Sequence, residues 1–282
     1  MRRMTIRGAR VALVVLACSA LGATAASASP TVIYNNLPAK LPPNVVSQPF
    51  QAAQMGQFGG QVEFAGASAT NTKVTVVMSS WACQEGNWTE SGCHTERGAK
   101  FEWPITLHIY SVGTANAVGT QIAGLTKTFK MPYRPSASAK CTGASVGAYF
   151  AGGQCWHGKA FRITFALRGV TLPKQAILSL SYNTSGYGAE PQGYSTACAT
   201  SPAGCFYDSL NVGLTEPPNE ASPTPVAPSV GANPAPEDAY HDSQTAGNYC
   251  DKGLQGTGVF RLDDGAPPCW TGYQPLFKVT TG

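Results

Sequence analysis

The sequence predicts an all-β protein: an antiparallel β-sandwich or jelly roll with disulfide-stapled loops and a proline-rich insertion. Three observations carry that expectation. Beyond residue 28, apolar side chains recur at every second position, the period of a half-buried strand, and helical stripes are hard to find. The alternating runs are short and punctuated by turn-forming stretches such as Val112-Gly113-Thr114 and Gly169-Val170-Thr171-Leu172-Pro173. After Cys18, the other eight of the nine cysteines fall into four close pairs, each bracketing a Gly-, Ser- or Pro-rich segment.

Taken in order, residues 1–28 read as a secretory signal peptide. Arg2, Arg3, Arg7 and Arg10 lead an apolar stretch from Val11 to Leu21, and Ala26-Ser27-Ala28 suits cleavage. Cys18, behind Val15-Leu16-Ala17, loosely imitates a lipoprotein cleavage box. The apolar run before it is short, so ordinary secretion with cleavage near Ala28 is expected, and the intact mass reports any lipid on Cys18. Strand-like runs follow at 73–78, 101–110, 161–168, 176–182, 210–214, 258–262 and 276–280. The clearest is 101–110, with Phe101, Trp103, Ile105, Leu107 and Ile109 on one face and Glu102, Thr106, His108 and Tyr110 on the other. Pro104 donates no ladder hydrogen bond, which places it at a strand start or an edge. One-sided burial implies antiparallel sheets packed face to face.

Residues 216–238 are dense in proline (Pro217, Pro218, Pro223, Pro225, Pro228, Pro234, Pro236) and poor in bulky apolar side chains, so they cannot build a core. The 44 residues that follow are short for an independent core. The expected organisation is therefore one sandwich over 29–282 with a proline-rich excursion at 216–238. The alternative is a sandwich over 29–215 and a small stapled module over 239–282.

Short loops close at the lowest entropic cost, so neighbouring cysteines should pair: Cys83–Cys93, Cys141–Cys155, Cys198–Cys205 and Cys250–Cys269. An even set of cysteines behind a signal peptide points to an oxidising, extracellular compartment. Zinc fits poorly, since neither C-x₂₋₄-C nor H-x₃₋₅-H spacing occurs. The formal charge of +4, from 19 basic and 15 acidic residues, belongs to the leader. Its four arginines leave 15 of each sign beyond residue 28, a balance without the basic excess of a nucleic-acid binder or an anionic-membrane segment. No second apolar span follows the signal.

Several phrases occur together: Gln57-Phe58-Gly59-Gly60-Gln61-Val62-Glu63-Phe64-Ala65-Gly66, Val76-Val77-Met78-Ser79-Ser80-Trp81-Ala82-Cys83, and Trp103-Pro104-Ile105-Thr106-Leu107-His108-Ile109-Tyr110. With Tyr133-Arg134-Pro135, Tyr182-Asn183-Thr184-Ser185-Gly186-Tyr187-Gly188, Tyr207-Asp208-Ser209-Leu210-Asn211-Val212 and Trp270-Thr271-Gly272-Tyr273-Gln274-Pro275, they resemble a group of secreted bacterial proteins, mainly actinobacterial. The resemblance implies a β-sandwich, runs from about Val45 across the proline segment, and brings no catalytic residues or cofactor with it.

Motif chemistry is sparse. There is no H-E-x-x-H or P-loop, and the histidines (His94, His108, His157, His241) are dispersed. A glycan-directed hydrolase would need two carboxylates roughly 5–10 Å apart, for which Glu63, Glu102 and Asp208 are the candidates. Calcium would draw on loop oxygens, with Asp208, Asn211, Asp263 and Asp264 as the candidate ligands. The remaining feature is aromatic: Trp88, Trp156 and Tyr187 lie in loop-like segments and suit stacking on sugar faces or partner surfaces. The leading expectation is a secreted, non-enzymatic sandwich that contacts a glycan or a cell-envelope component through these rings. A hydrolase with a carboxylate pair and a purely structural surface protein are the alternatives.

Overall fold

The structure, a computed structural model, describes residues 30–50, 52–66, 69–86, 88, 91–183, 210–215, 227–264, 269–270 and 272–281. Those residues form two six-stranded sheets in which every neighbouring pair is antiparallel, and a small hairpin stands apart from them. No α-helix occurs among the described residues.

The first sheet is organised by β4 (Thr72–Ser80). One side of it pairs along its length with β9 (Lys159–Ala166). The other side is divided: β14 (Phe277–Thr281) takes the first half and β11 (Leu210–Gly213) the second. β14 continues to β1 (Val32–Asn35), and β11 to β2 (Ser47–Pro49). The second sheet runs β13 (Arg261–Asp264), β12 (Asp238–His241), β3 (Gln57–Glu63), β10 (Gln175–Ser181), β5 (Lys100–Val112) and β6 (Val118–Pro132). The hairpin joins β7 (Tyr149–Ala151) and β8 (Gln154–Trp156).

Alternation decides which face meets the core. Val74, Val76 and Met78 of β4 meet Phe58 and Val62 of β3, Leu178 and Leu180 of β10, and Ile105, Leu107 and Ile109 of β5 in one apolar cluster. Each such buried side chain contributes about 1.5–3 kcal/mol relative to exposure. Trp103 belongs to this core, as its alternation predicts. Pro104 sits within β5, but at a local edge: β10 pairs with Thr106 to Tyr110, and earlier residues of β5 face only β6.

The sheets are stitched along both sides. At one, Phe129 of β6 meets Phe165 of β9 edge-on at 5.0 Å, and Lys127 Nζ donates to Thr164 O (3.2 Å). At the other, residues 229–232 bridge the layers: Asn35 N–H donates to Val230 O and Glu63 N–H to Ala232 O. The end of the proline-rich stretch is thus a strap between sheets, and 216–226 lies outside the described residues. Strands beyond it enter both sheets, β12 against β3 and β14 between β1 and β4, which is not the arrangement of a separate module.

Three expected disulfides are present, Cys83–Cys93, Cys141–Cys155 and Cys250–Cys269, with Cα–Cα distances of 5.5, 5.8 and 6.0 Å. Cys198–Cys205 and residues 1–28, including Cys18, lie outside the described residues. The strand expected over 258–262 begins later, at Arg261. Gly258 takes φ +73° and Val259 is 65% exposed, so this stretch is a turn rather than a half-buried strand.

Candidate functional site

Among the loop residues expected to bind, Trp88 packs against His157, the chain neighbour of Trp156, and Tyr187 lies outside the described residues. Trp88 meets Trp81 edge-on (4.8 Å), and His157 stacks on Trp81 (5.9 Å) while meeting Trp88 edge-on (5.4 Å). This trio is held from below by Arg134, whose guanidinium is fully buried. Its Nε donates to Pro135 O, Nη1 to Trp88 O and Nη2 to Gly147 O, and its plane faces the Tyr149 ring. Burial pushes the Arg134 pKa down to about 10 and the Tyr149 phenol up to about 12. The phenol donates within reach of Pro43 O and Gly158 O, tying the 36–46 loop to the hairpin. Trp88 is therefore chiefly a packing residue. Arg134 was not foreseen as a site organiser, since a basic residue next to proline carries no signature of burial.

Trp156 points elsewhere. It lines a groove of about 540 Å³ on the outer side of the first sheet, with Leu37, Pro42, Val45, Leu214 and Leu276 among its walls. Its indole N–H donates to Ala151 O (3.0 Å), which fixes the ring at the groove wall. The polar rim is mostly satisfied within the protein: Asn36 bonds Pro275 O and Phe277 N, Asn44 accepts from Ser79, and Thr215 donates to Gly272 O. The volume and apolar lining fall in the range of small-ligand sites. The groove was not legible in sequence, because its walls come from segments more than 200 residues apart (Leu37 and Leu276).

Among the described candidates, Glu63 and Glu102 do not come together. Glu63 ends β3 and Glu102 begins β5, two strands separated by β10. The register sets Glu63 level with the far end of β5, roughly 30 Å from Glu102 at 3.3 Å per residue. Each is engaged locally, Glu102 with Lys130 (3.4 Å) and Glu63 with Lys174 (3.2 Å). A hydrogen bond from Gln175, then Lys174, holds the Glu63 carboxyl below the usual range. The third candidate, Asp208, is outside the described residues.

The calcium candidates also part. Asn211 is buried on β11 and donates to Ser47 Oγ (3.1 Å). Asp263 and Asp264 are consecutive on β13, so one points inward and the other to solvent. Asp263 is fully buried and accepts from Trp270 Nε1 (2.6 Å), His241 Nε2 (3.2 Å) and Cys250 N–H (3.0 Å). Burial raises its pKa, but these hydrogen bonds outweigh that and hold it below the usual carboxylate range. Its lone pairs serve the fold around the Cys250–Cys269 staple. Among the described residues no group of three or more His, Cys, Asp or Glu side chains is placed to hold a metal ion.

No family model, no curated protein and no solved structure matches the chain.

Proposed function

We propose that this chain is an exported, non-catalytic β-sandwich that acts by binding, in the extracellular space or at the cell envelope, with a glycan or other envelope component seated in the Trp156 groove. The observation that carries this reading is the groove: it is of ligand size, apolar, and walled by an indole whose orientation is fixed in advance. Tryptophan and proline faces suit the C–H faces of sugar rings. Export is supported by the basic-apolar-small leader and by stapled loops, and the likeness to secreted actinobacterial proteins belongs to the same reading. No helix among the described residues is long and apolar enough to cross a membrane.

The test is co-sedimentation with insoluble cell-wall polysaccharide and with peptidoglycan, comparing the wild type with Val46→Trp and Trp156→Ala. Val46 lines the groove and is 44% exposed, so a larger side chain there fills the groove without entering the core. Both variants are expected to lose about tenfold in affinity, roughly 1.4 kcal/mol. Wild-type retention no better than serum albumin's, or undiminished binding by Val46→Trp, overturns the assignment; the first result favours a purely structural role.

A further inference from the structure

The outer face of the second sheet differs from an ordinary solvated face. Its outward positions include Gln57 and Gln61 on β3, Ser179 and Ser181 on β10, and His108 and Tyr110 on β5. None of these six carries a formal charge: Gln61 and Ser179 are fully buried, the other four are partly covered, and Glu63 and Glu102 stand further out on the same face.

They are joined side chain to side chain. Gln57 Nε2 donates to Ser179 Oγ (2.6 Å) and to Tyr110 Oη (3.1 Å). Gln61 Nε2 donates to Gln175 Oε1 (3.2 Å), and Tyr240 Oη donates within reach of Gln61 Oε1 (3.1 Å). His108 Nε2 and Ser181 Oγ are 2.7 Å apart. Side chain–side chain bonds are a small minority in most proteins, so this concentration marks a rigid, preorganised surface.

Across it runs a row of rings. His108 stacks on Tyr110 (6.0 Å, 19°), and Tyr110 adjoins Phe260 (5.3 Å), which adjoins Tyr240 (6.3 Å). His108, Tyr110 and Phe260 are only partly covered, whereas Tyr240 is fully buried. Gly124, opposite His108 on β6, keeps the neighbouring position free of bulk, and a Cβ there would come within 2.6 Å of the Gln121 amide.

One end of the row is walled by the tip of the β5–β6 hairpin. It crosses β10 and β3 to reach β12, where Asn116 O accepts from Tyr240 Oη (2.7 Å). The tip places Ala115 at φ +52° beside Asn116 at φ +58°. A non-glycine, non-asparagine residue there is held against its preference, a feature that gathers at functional surfaces.

We propose that this face is a second binding surface, independent of the Trp156 groove, and that it takes an uncharged glycan chain. Ring C–H faces lie against His108, Tyr110 and Phe260. Sugar hydroxyls exchange hydrogen bonds with Gln57, whose carbonyl oxygen is left to accept once both its N–H groups are committed, and with Ser181. An acidic polymer would call for Arg or Lys forks. None lies on the row, and burial lowers the His108 pKa. The same lack of cations disfavours nucleic acid.

Affinity electrophoresis through gels containing laminarin, galactomannan or arabinoxylan, with polygalacturonate as the acidic control, tests this. At least one neutral polymer should retard the wild type, and polygalacturonate should not. Tyr110→Ala and Phe260→Ala should each weaken retardation about tenfold. Tyr110→Phe, which keeps the ring, should hold most of it and guards against a folding artefact, with circular dichroism as the check. Val46→Trp should bind like the wild type. Absence of retardation by every neutral polymer overturns the proposal, as do retardation by polygalacturonate alone and wild-type binding in both alanine variants. Binding lost in Val46→Trp but kept in Tyr110→Ala assigns the glycan to the groove and equally overturns it.

Discussion

A single carboxylate, Asp263, shows how much one side chain decides. Within β13 it turns inward to three donors, and its neighbour Asp264 turns to solvent. Replacing the carboxylate by an amide leaves one acceptor oxygen, uncharged, for the donors from Trp270, His241 and Cys250 and sets an NH2 donor among them. Asp263→Asn is expected to cost about 3 kcal/mol at neutral pH, read from the urea midpoint. The sign with pH follows from the lowered pKa. The wild-type advantage is complete above the unfolded carboxyl pKa near 3.9 and disappears as pH falls through the lower folded value. The difference in midpoint between the two proteins should therefore close in acid. Of the two candidate calcium ligands on this strand, only Asp264 faces solvent, because adjacent strand residues face opposite ways. What sequence could not show is that the inward one has Trp270 and His241 waiting for it.

At the level of elements, β4, β5, β9 and β10 were legible because their apolar positions alternate cleanly and both ends are punctuated. β6 was not, although it is the longest strand. Its inward Leu125, Phe129 and Met131 are interleaved with glycine, threonine and lysine, and no strand among the described residues pairs with its other edge. β2, β7 and β8 have three residues each, too few for a period to register. The β12–β13 pair carries a conflict that its sequence does not advertise: Asp238 stands directly opposite Asp264. Burial first, then Asp264, Glu237 and Asp263, raise the Asp238 pKa. A carboxyl with a raised folded pKa weakens the fold once pH climbs above its unfolded value. Asp238→Asn should accordingly raise stability by about 0.5 kcal/mol at pH 7. In thermal melts the gain should shrink as the buffer approaches pH 4.

For the molecule as a whole, the sandwich class and three of the disulfides followed from periodicity and spacing, which are local properties. The groove and the outer face of the second sheet did not, because each joins strands distant in sequence. The two surfaces lie on opposite outer sides of the sandwich, so occupying one leaves the other accessible. The strands beyond the proline-rich stretch test how far the fold is one unit. A chain ending at residue 215 lacks β12, β13, β14 and the 229–232 strap. It is expected to show no cooperative unfolding transition by circular dichroism, whereas a self-sufficient 29–215 sandwich would melt sharply.

The pairing of β1 with β14 imposes an order on the birth of the molecule. Hydrogen bonds join Thr31 to Thr281 across 250 residues, and β4 waits for the same late strand on one of its sides. Pairings that span such lengths form slowly, whereas loops of 10 to 19 residues close quickly. In an oxidising compartment the staples therefore have time to form on a chain whose first sheet is still open. A polypeptide unable to fold early remains threadable, which is the condition a protein must meet to be moved through a narrow channel before it takes its shape.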